Sequence, residues 1–260
     1  MRKKIILVAA ALVAGLLLYF ATQEGAPSSA NTSDSKKLAI KAQPEPQQTN
    51  QATIYTPTFS SADKVLMDKK KLSEYQAWRR TRGYAEDNNK SNYDSYNGDT
   101  LNTLMEQNDI FATQTLAKRQ YEKEREGKLD FIKTKALYYR SAVLGSTFAL
   151  SELASMDKQL AHIYRDISPA LAYKYSFDAQ IWVEAQKMRG DTFSSTMGEK
   201  AFSVEFGKIE MDEIREEAKT VYEDLANQRQ KRNLDNFDNS PSEWEAATLE
   251  KINSNTSQTQ

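Results

Sequence analysis

The chain has 260 residues, 35 Lys and Arg against 36 Asp and Glu, a formal net charge of −1, and no cysteine. So even a charge excludes the strong attraction to phosphate on which nucleic-acid binding rests, and setting aside Arg2, Lys3 and Lys4 makes the remainder more acidic still. The missing cysteines exclude structural disulfides and a lipid-bearing cysteine after a leader, and leave any zinc site without thiolate ligands.

Residues 5 to 21 carry no charge and follow directly on Arg2, Lys3 and Lys4. A basic start before an apolar run reads as a secretory leader, and the length falls between a cleavable signal and a spanning helix. Tyr19 and Phe20 suit a membrane interface, whereas Ser28 and Ala30 before Asn31 suit cleavage. Residues 1–22 are therefore expected to be a signal-anchor or a signal peptide. The basic residues keep the N-terminus inside and place the bulk outside. With no disulfides, a bacterial periplasm and an inner-membrane anchor are the simplest compartment; a eukaryotic type II topology is the alternative.

Residues 23–57 are rich in Ser, Thr, Gln, Asn, Ala and Pro, with no hydrophobic period. Such a segment cannot bury enough apolar surface to offset ordering entropy, so a flexible linker is expected, spanning about 30–35 Å. The tail at 254–260 has the same composition and the same expectation.

From 58 to 240 there is one proline, Pro169, and the spacing predicts helices throughout. Ser60 with Asp63 forms a capping-box start. Leu66, Leu72, Tyr75, Trp78 and Arg79 share a face up to Gly83. Tyr93, Tyr96, Leu101, Leu104 and Met105 trace a second stripe, and Met211, Ile214, Ala218, Val221, Tyr222 and Leu225 a third. Gly83, Gly98, Gly127, Gly145 and Gly190 are expected to end helices. A short helix over 242–252 is expected to follow Pro241 at its first position. The fold class is thus all-α, one helical domain over 58–253.

The chain repeats itself. Asn108-Asp109, Ala112 and Leu116-Ala117 return as Gly145-Ser146, Ala149 and Leu153-Ala154, always 37 residues later. Ala179 to Ala185, followed by Arg189-Gly190-Asp191, is a looser third echo. Asp or Ser after the turn can cap the next helix, Gly145 can end the previous one, and the alanines let helices approach closely. Units that cannot bury a face alone stack into a solenoid.

On Ala136, Tyr139, Ala142, Gly145, Ala149, Leu153 and Ala154 the chain resembles the Sel1-like repeat family, a tetratricopeptide-like α-solenoid. The resemblance covers about residues 95–192. Gly127 stands where family units carry a glycine after the first helix, and the third unit departs by about six extra residues and Pro169. The resemblance implies a short solenoid of helix pairs with flanking helices, and a scaffold or adaptor role without catalysis.

Enzymatic chemistry finds little to stand on. His162 is the single histidine, in a helical context: a zinc site would need carboxylates for its other ligands, which is uncommon, and a Ser-His-Asp triad would have to use His162, yet no Gly-x-Ser-x-Gly elbow occurs. No phosphate loop or dinucleotide glycine run occurs, and no cofactor is expected. Glu152 is the one carboxylate worth testing as a glycosidase acid, and a solvated glutamate is its ordinary reading. Arg189-Gly190-Asp191 spells an adhesion tripeptide but sits at a helix-ending turn.

Binding is the remaining class. Lys69, Lys70, Lys71, Arg79, Arg80 and Arg82 make the first helix basic, with Trp78 and Tyr84 interleaved. Aromatics and arginine dominate interface energetics, so Trp78, Arg79, Arg82, Tyr84, Tyr139 and Trp182 are the candidate partner-binding residues. The expected function is a membrane-tethered periplasmic scaffold that binds a protein partner. A cell-wall or glycan-binding module is the alternative.

Overall fold

The structure is a computed structural model. It describes residues 69–85, 92–126, 131–192, 194–195 and 205–247, all in the unit spanning 50–260. The leader, the linker, the Ser60–Asp63 start, Gly127 and the tail lie outside the described residues. Among the described residues seven main helices follow in order: α1 (Lys69–Thr81), α2 (Gly98–Glu106), α3 (Ile110–Arg125), α4 (Ile132–Val143), α5 (Thr147–Tyr164), α6 (Pro169–Met188) and α7 (Lys208–Lys231). Among the described residues there is no strand, and no helix is long and apolar enough to cross a membrane.

Each helix from α2 to α6 packs on the next, α7 packs on α6, and α7 also reaches back to α4. The most extensive packing is between α5 and α6. Alanines make this approach possible: Ala149, Ala154, Ala161, Ala179 and Ala185 are all buried. Leu150, Leu153, Met156 and Leu160 fill the same core from α5, each contributing roughly 1.5–3 kcal/mol by its burial. Ile214, Ala218 and Leu225 bring the buried stripe of α7, while Met211, Val221 and Tyr222 stay half-buried.

The turns follow local chemistry. Asp109 caps α3 by accepting from Ala112 N at 2.9 Å, and Ser146 caps α5 by accepting from Ala149 N at 3.0 Å. The two units 37 residues apart therefore open with the same bond. Asn108, Gly145 and Gly190 take positive φ just before these turns and their third counterpart. α4 has no cap of its own, because Phe131 stands there with φ 51° and a buried ring. Glu124 of α3 supplies the cap instead, accepting from Lys133 N, Thr134 N and Thr134 Oγ1. Pro169 opens α6, where its missing N–H costs nothing.

Two expectations about boundaries are corrected. Gly98 begins α2 rather than ending a helix, because Asn97 caps there by accepting from Thr100 N. Among the described residues the segment after Pro241 turns helical at 243, with Ala246 N donating to Ser242 O, so Pro241 precedes the helix instead of occupying its first position.

Candidate functional site

The six candidate residues fall into two groups. Trp78, Arg79, Arg82 and Tyr84 gather at the end of α1, and Tyr139 and Trp182 meet between α4 and α6.

In the first group the chain leaves α1 through Gly83, at φ 81°, and plugs the N-terminus of α5. The Arg82 carbonyl accepts from Thr147 N at 3.0 Å, Phe148 N at 3.2 Å and Ser146 Oγ at 3.3 Å. Those amides are the donors a helix start leaves unpaired. Gln114 Nε2 of α3 donates to Ser146 Oγ at 2.8 Å, which ties in a further helix. A Cβ on Gly83 would lie 2.6 Å from Gln114 Nε2 and closer still to Ser146 Oγ. Gly83→Ala is therefore expected to cost about 2–3 kcal/mol in urea unfolding, the left-handed penalty and the clash together.

Tyr84 continues into a buried polar hub. Asp191, fully buried, accepts through Oδ2 from Tyr84 OH at 2.6 Å, Thr147 Oγ1 at 2.6 Å and Gln186 Nε2 at 3.1 Å. The end of α1, the start of α5 and the end of α6 thus share one carboxylate oxygen. Burial and the neighbouring Asp191 carboxylate push the Tyr84 phenol well above its ordinary range. The Arg79 guanidinium lies over the Tyr84 ring at 4.6 Å, and Tyr84 meets Phe148 edge-on at 5.4 Å.

Above the hub runs residues 234–242, without regular secondary structure. Arg82 donates to the Asp238 and Ser240 carbonyls, the second at 2.9 Å, and Trp78 Nε1 donates to the Ser240 carbonyl at 3.0 Å. Arg189 Nε donates to Asn239 Oδ1 at 3.0 Å, and its guanidinium lies 3.5 Å over the Phe237 ring. Arg82 and Arg189 are each 1% exposed. Burial, with the nearby Arg82 and Arg229 cations, brings Arg189 down to about 9, so it stays charged at neutral pH. The candidates Arg82 and Tyr84 therefore face the inside of the fold, and Trp78 and Arg79 are half-buried against it.

The second group lies on a face made by α4, α5 and α6. Tyr139 and Trp182 meet edge-on at 6.4 Å. Trp182 Nε1 donates to Asp157 Oδ2 at 3.0 Å, and Lys135 Nζ pairs with Asp157 Oδ1. Lys135 also lies 5.7 Å from the Tyr175 ring, Lys174 lies 5.5 Å from the same ring, and Tyr175 stacks on Tyr164 at 5.6 Å. Lys174 pairs with Asp178. Tyr139 OH donates to Asp224, which joins the edge of this face to α7. Burial raises the Asp157 carboxyl, and the Lys135 ammonium partly opposes it. Burial, then the bond to Asp224, raises the Tyr139 phenol. The result is a half-buried surface of three tyrosines and a tryptophan threaded by alternating charges.

Glu152 corrects the solvated reading. It is 7% exposed in the core, bonded to Tyr138, and burial pushes its carboxyl up to about 7. His162 is exposed near the end of α5. Among the described residues no group of three His, Cys, Asp or Glu is placed to hold a metal ion.

Sequence reasoning missed the hub and the burial of two arginines. One signal was available: the pair Arg-Gly occurs at Arg82-Gly83 and again at Arg189-Gly190, both glycines take positive φ, and both arginines turn inward.

No family model, no curated protein and no solved structure matches the chain. The fold and the two groups of residues define the class by themselves: in its described residues an all-helical protein whose helices from α2 to α6 pack consecutively, with a buried polar hub at one set of helix ends and an aromatic, charge-threaded face.

Proposed function

We propose that the chain is a non-enzymatic scaffold or adaptor, held at the inner membrane by residues 1–22, reaching into the periplasm through the 23–57 linker, and binding a protein partner through a short solenoid of Sel1-like helix pairs. The observation that carries the reading is the likeness of α3 and α5. Each opens on a capped turn with a positive-φ residue before it, and each buries an alanine at the capped amide, Ala112 and Ala149. Repeated units of that kind present an extended surface rather than a closed reaction cleft. The face of Tyr139, Trp182, Lys135 and Tyr175 supplies the aromatic and charged groups that binding surfaces favour.

The test is in-cell photo-crosslinking of the full-length chain, with the crosslinker at Tyr139, at Lys174 and, as an outward control, at exposed Glu216. The same discrete protein adduct from Tyr139 and Lys174, absent from Glu216, is the expected result. No protein adduct from either position, together with retention of the protein in the insoluble cell-wall fraction, would replace the scaffold with the glycan-binding module.

A further inference from the structure

The segment over the arginines lies on the body as a bound peptide would. Its contacts come mainly through backbone carbonyls: Asp235 to Arg229, Asp238 to Arg82, and Ser240 to Arg82 and Trp78. One aromatic, Phe237, sits beneath Arg189 and beside Tyr222 at 6.0 Å. Asp235, Asn236, Asp238, Asn239, Ser240 and Pro241 remain exposed. The groove beneath is cationic, with Arg82, Arg189 and Arg229, and the segment is acidic, with Asp235 and Asp238.

The fit is incomplete at both arginines, since Arg82 Nε as well as Arg189 Nη1 is buried with no hydrogen-bond partner. Arg82 has a carboxylate, Asp238 Oδ2 at 3.5 Å, but Arg189 has none: its acceptors are the Asn239 amide oxygen and the Gly145 carbonyl at 3.3 Å. Arg189 Nη1 is buried with no hydrogen-bond partner. A buried guanidinium is best satisfied by a carboxylate. Asn239 stands where one would reach, since its Oδ1 accepts from Arg189 Nε and its Nδ2 donates to Tyr222 OH at 2.8 Å. An aspartate of the same shape keeps both contacts, the tyrosine hydroxyl now donating.

We propose that the groove floored by Arg82 and Arg189 is a docking site for an extended acidic peptide of a partner protein, carrying an aromatic followed by two carboxylates in the pattern Phe-Asp-Asp-Ser, and that residues 235–240 occupy it in cis until that peptide displaces them. This names the partner's chemistry within the adaptor reading and rests on it. It concerns a surface apart from the Tyr139 crosslinking site, so either can fail without the other.

The test uses the full chain and fluorescent synthetic peptides. One copies residues 233–247, one carries aspartate at the position of Asn239, one carries alanine at the position of Phe237, and one is scrambled. In anisotropy titrations the aspartate peptide is expected to bind about tenfold more tightly than the native copy, as a charged acceptor replaces a neutral one, with the alanine and scrambled peptides weaker than both. The full-chain variant Asn239→Asp is expected to hold its own segment more firmly and so to weaken peptide binding about tenfold. Equal binding of the scrambled peptide or no effect of Asn239→Asp on peptide binding would each overturn the proposal.

Discussion

Asp191→Ala is expected to lower the unfolding free energy by about 2–3 kcal/mol, read as a fall in the urea midpoint at unchanged slope. The magnitude follows from what the substitution strands. Tyr84 OH, Thr147 Oγ1 and Gln186 Nε2 all donate to Asp191 Oδ2, and the site is fully buried. Thr147 Oγ1 is left without its acceptor, at about 1–3 kcal/mol, whereas Tyr84 OH keeps Ser194 Oγ at 2.9 Å and Gln186 Nε2 keeps Tyr84 OH at 3.2 Å. Arg82, whose charge Asp191 helps to balance, loses a second stabilising neighbour beside Asp238. Asp191→Asn keeps one acceptor oxygen and is expected to cost about half as much. A loss below about 1 kcal/mol for the alanine variant would mean that water reaches the hub and pairs the freed hydroxyl.

Glu152→Gln is expected to stabilise the protein, and to do so only at higher pH. Burial raises the carboxyl to about 7 from an unfolded value of 4.5. Below the unfolded value both states are protonated and the group contributes nothing to the pH dependence. Between the two values the folded state keeps the proton that the unfolded state releases, so stability falls as pH rises, by about 1.4 kcal/mol per pH unit. Above about 7 both states are ionised and the loss is complete, about 3 kcal/mol. Glutamine has no charge to bury and can still accept from Tyr138. The difference between variant and parent should therefore be near zero at pH 4 and reach about 2–3 kcal/mol at pH 8, measured by urea unfolding across that range. A difference independent of pH would place the Glu152 carboxyl in its ordinary range. Because the variant is expected to keep its fold, it also separates a structural carboxyl from a catalytic one.

The legible parts of the fold are those that local chemistry decides. Asp109 and Ser146 cap because short polar side chains reach back to the amides of the first turn, and that is visible in any window of four residues. Gly145 and Gly190 end helices because their positive φ suits a residue without Cβ. Gly98 misleads because glycine is also tolerated at a helix start, where Asn97 supplies the cap. What stayed hidden is set by residues far apart. Nothing near Arg82 announces that a carbonyl 156 residues away will bury it. Glu152 reads as solvated because glutamate on a helix usually is, but α5 is covered by both α4 and α6, so buried residues occur around most of its circumference. Of the candidate site, Tyr139 and Trp182 were legible as residue types; that they meet across Asp157 and Lys135 was not, since four positions on three helices must come together.

The clasp between α1 and the end of the chain also sets a schedule for synthesis. Tyr75 waits for Glu245, 170 positions later, and Trp78 for Ser240, 162 positions later. At about 5–20 residues per second, roughly ten to thirty seconds separate the emergence of α1 from that of its last partners. Throughout that interval the middle helices can assemble on one another, because their contacts are between neighbours, while α1 is held only at its exit, where Arg82 and Tyr84 meet the start of α5 and Asp191. A message cut short after α7 would yield a chain whose helices pack but whose first helix lacks the later partners of Tyr75 and Trp78, a species that proteases can tell from the finished protein.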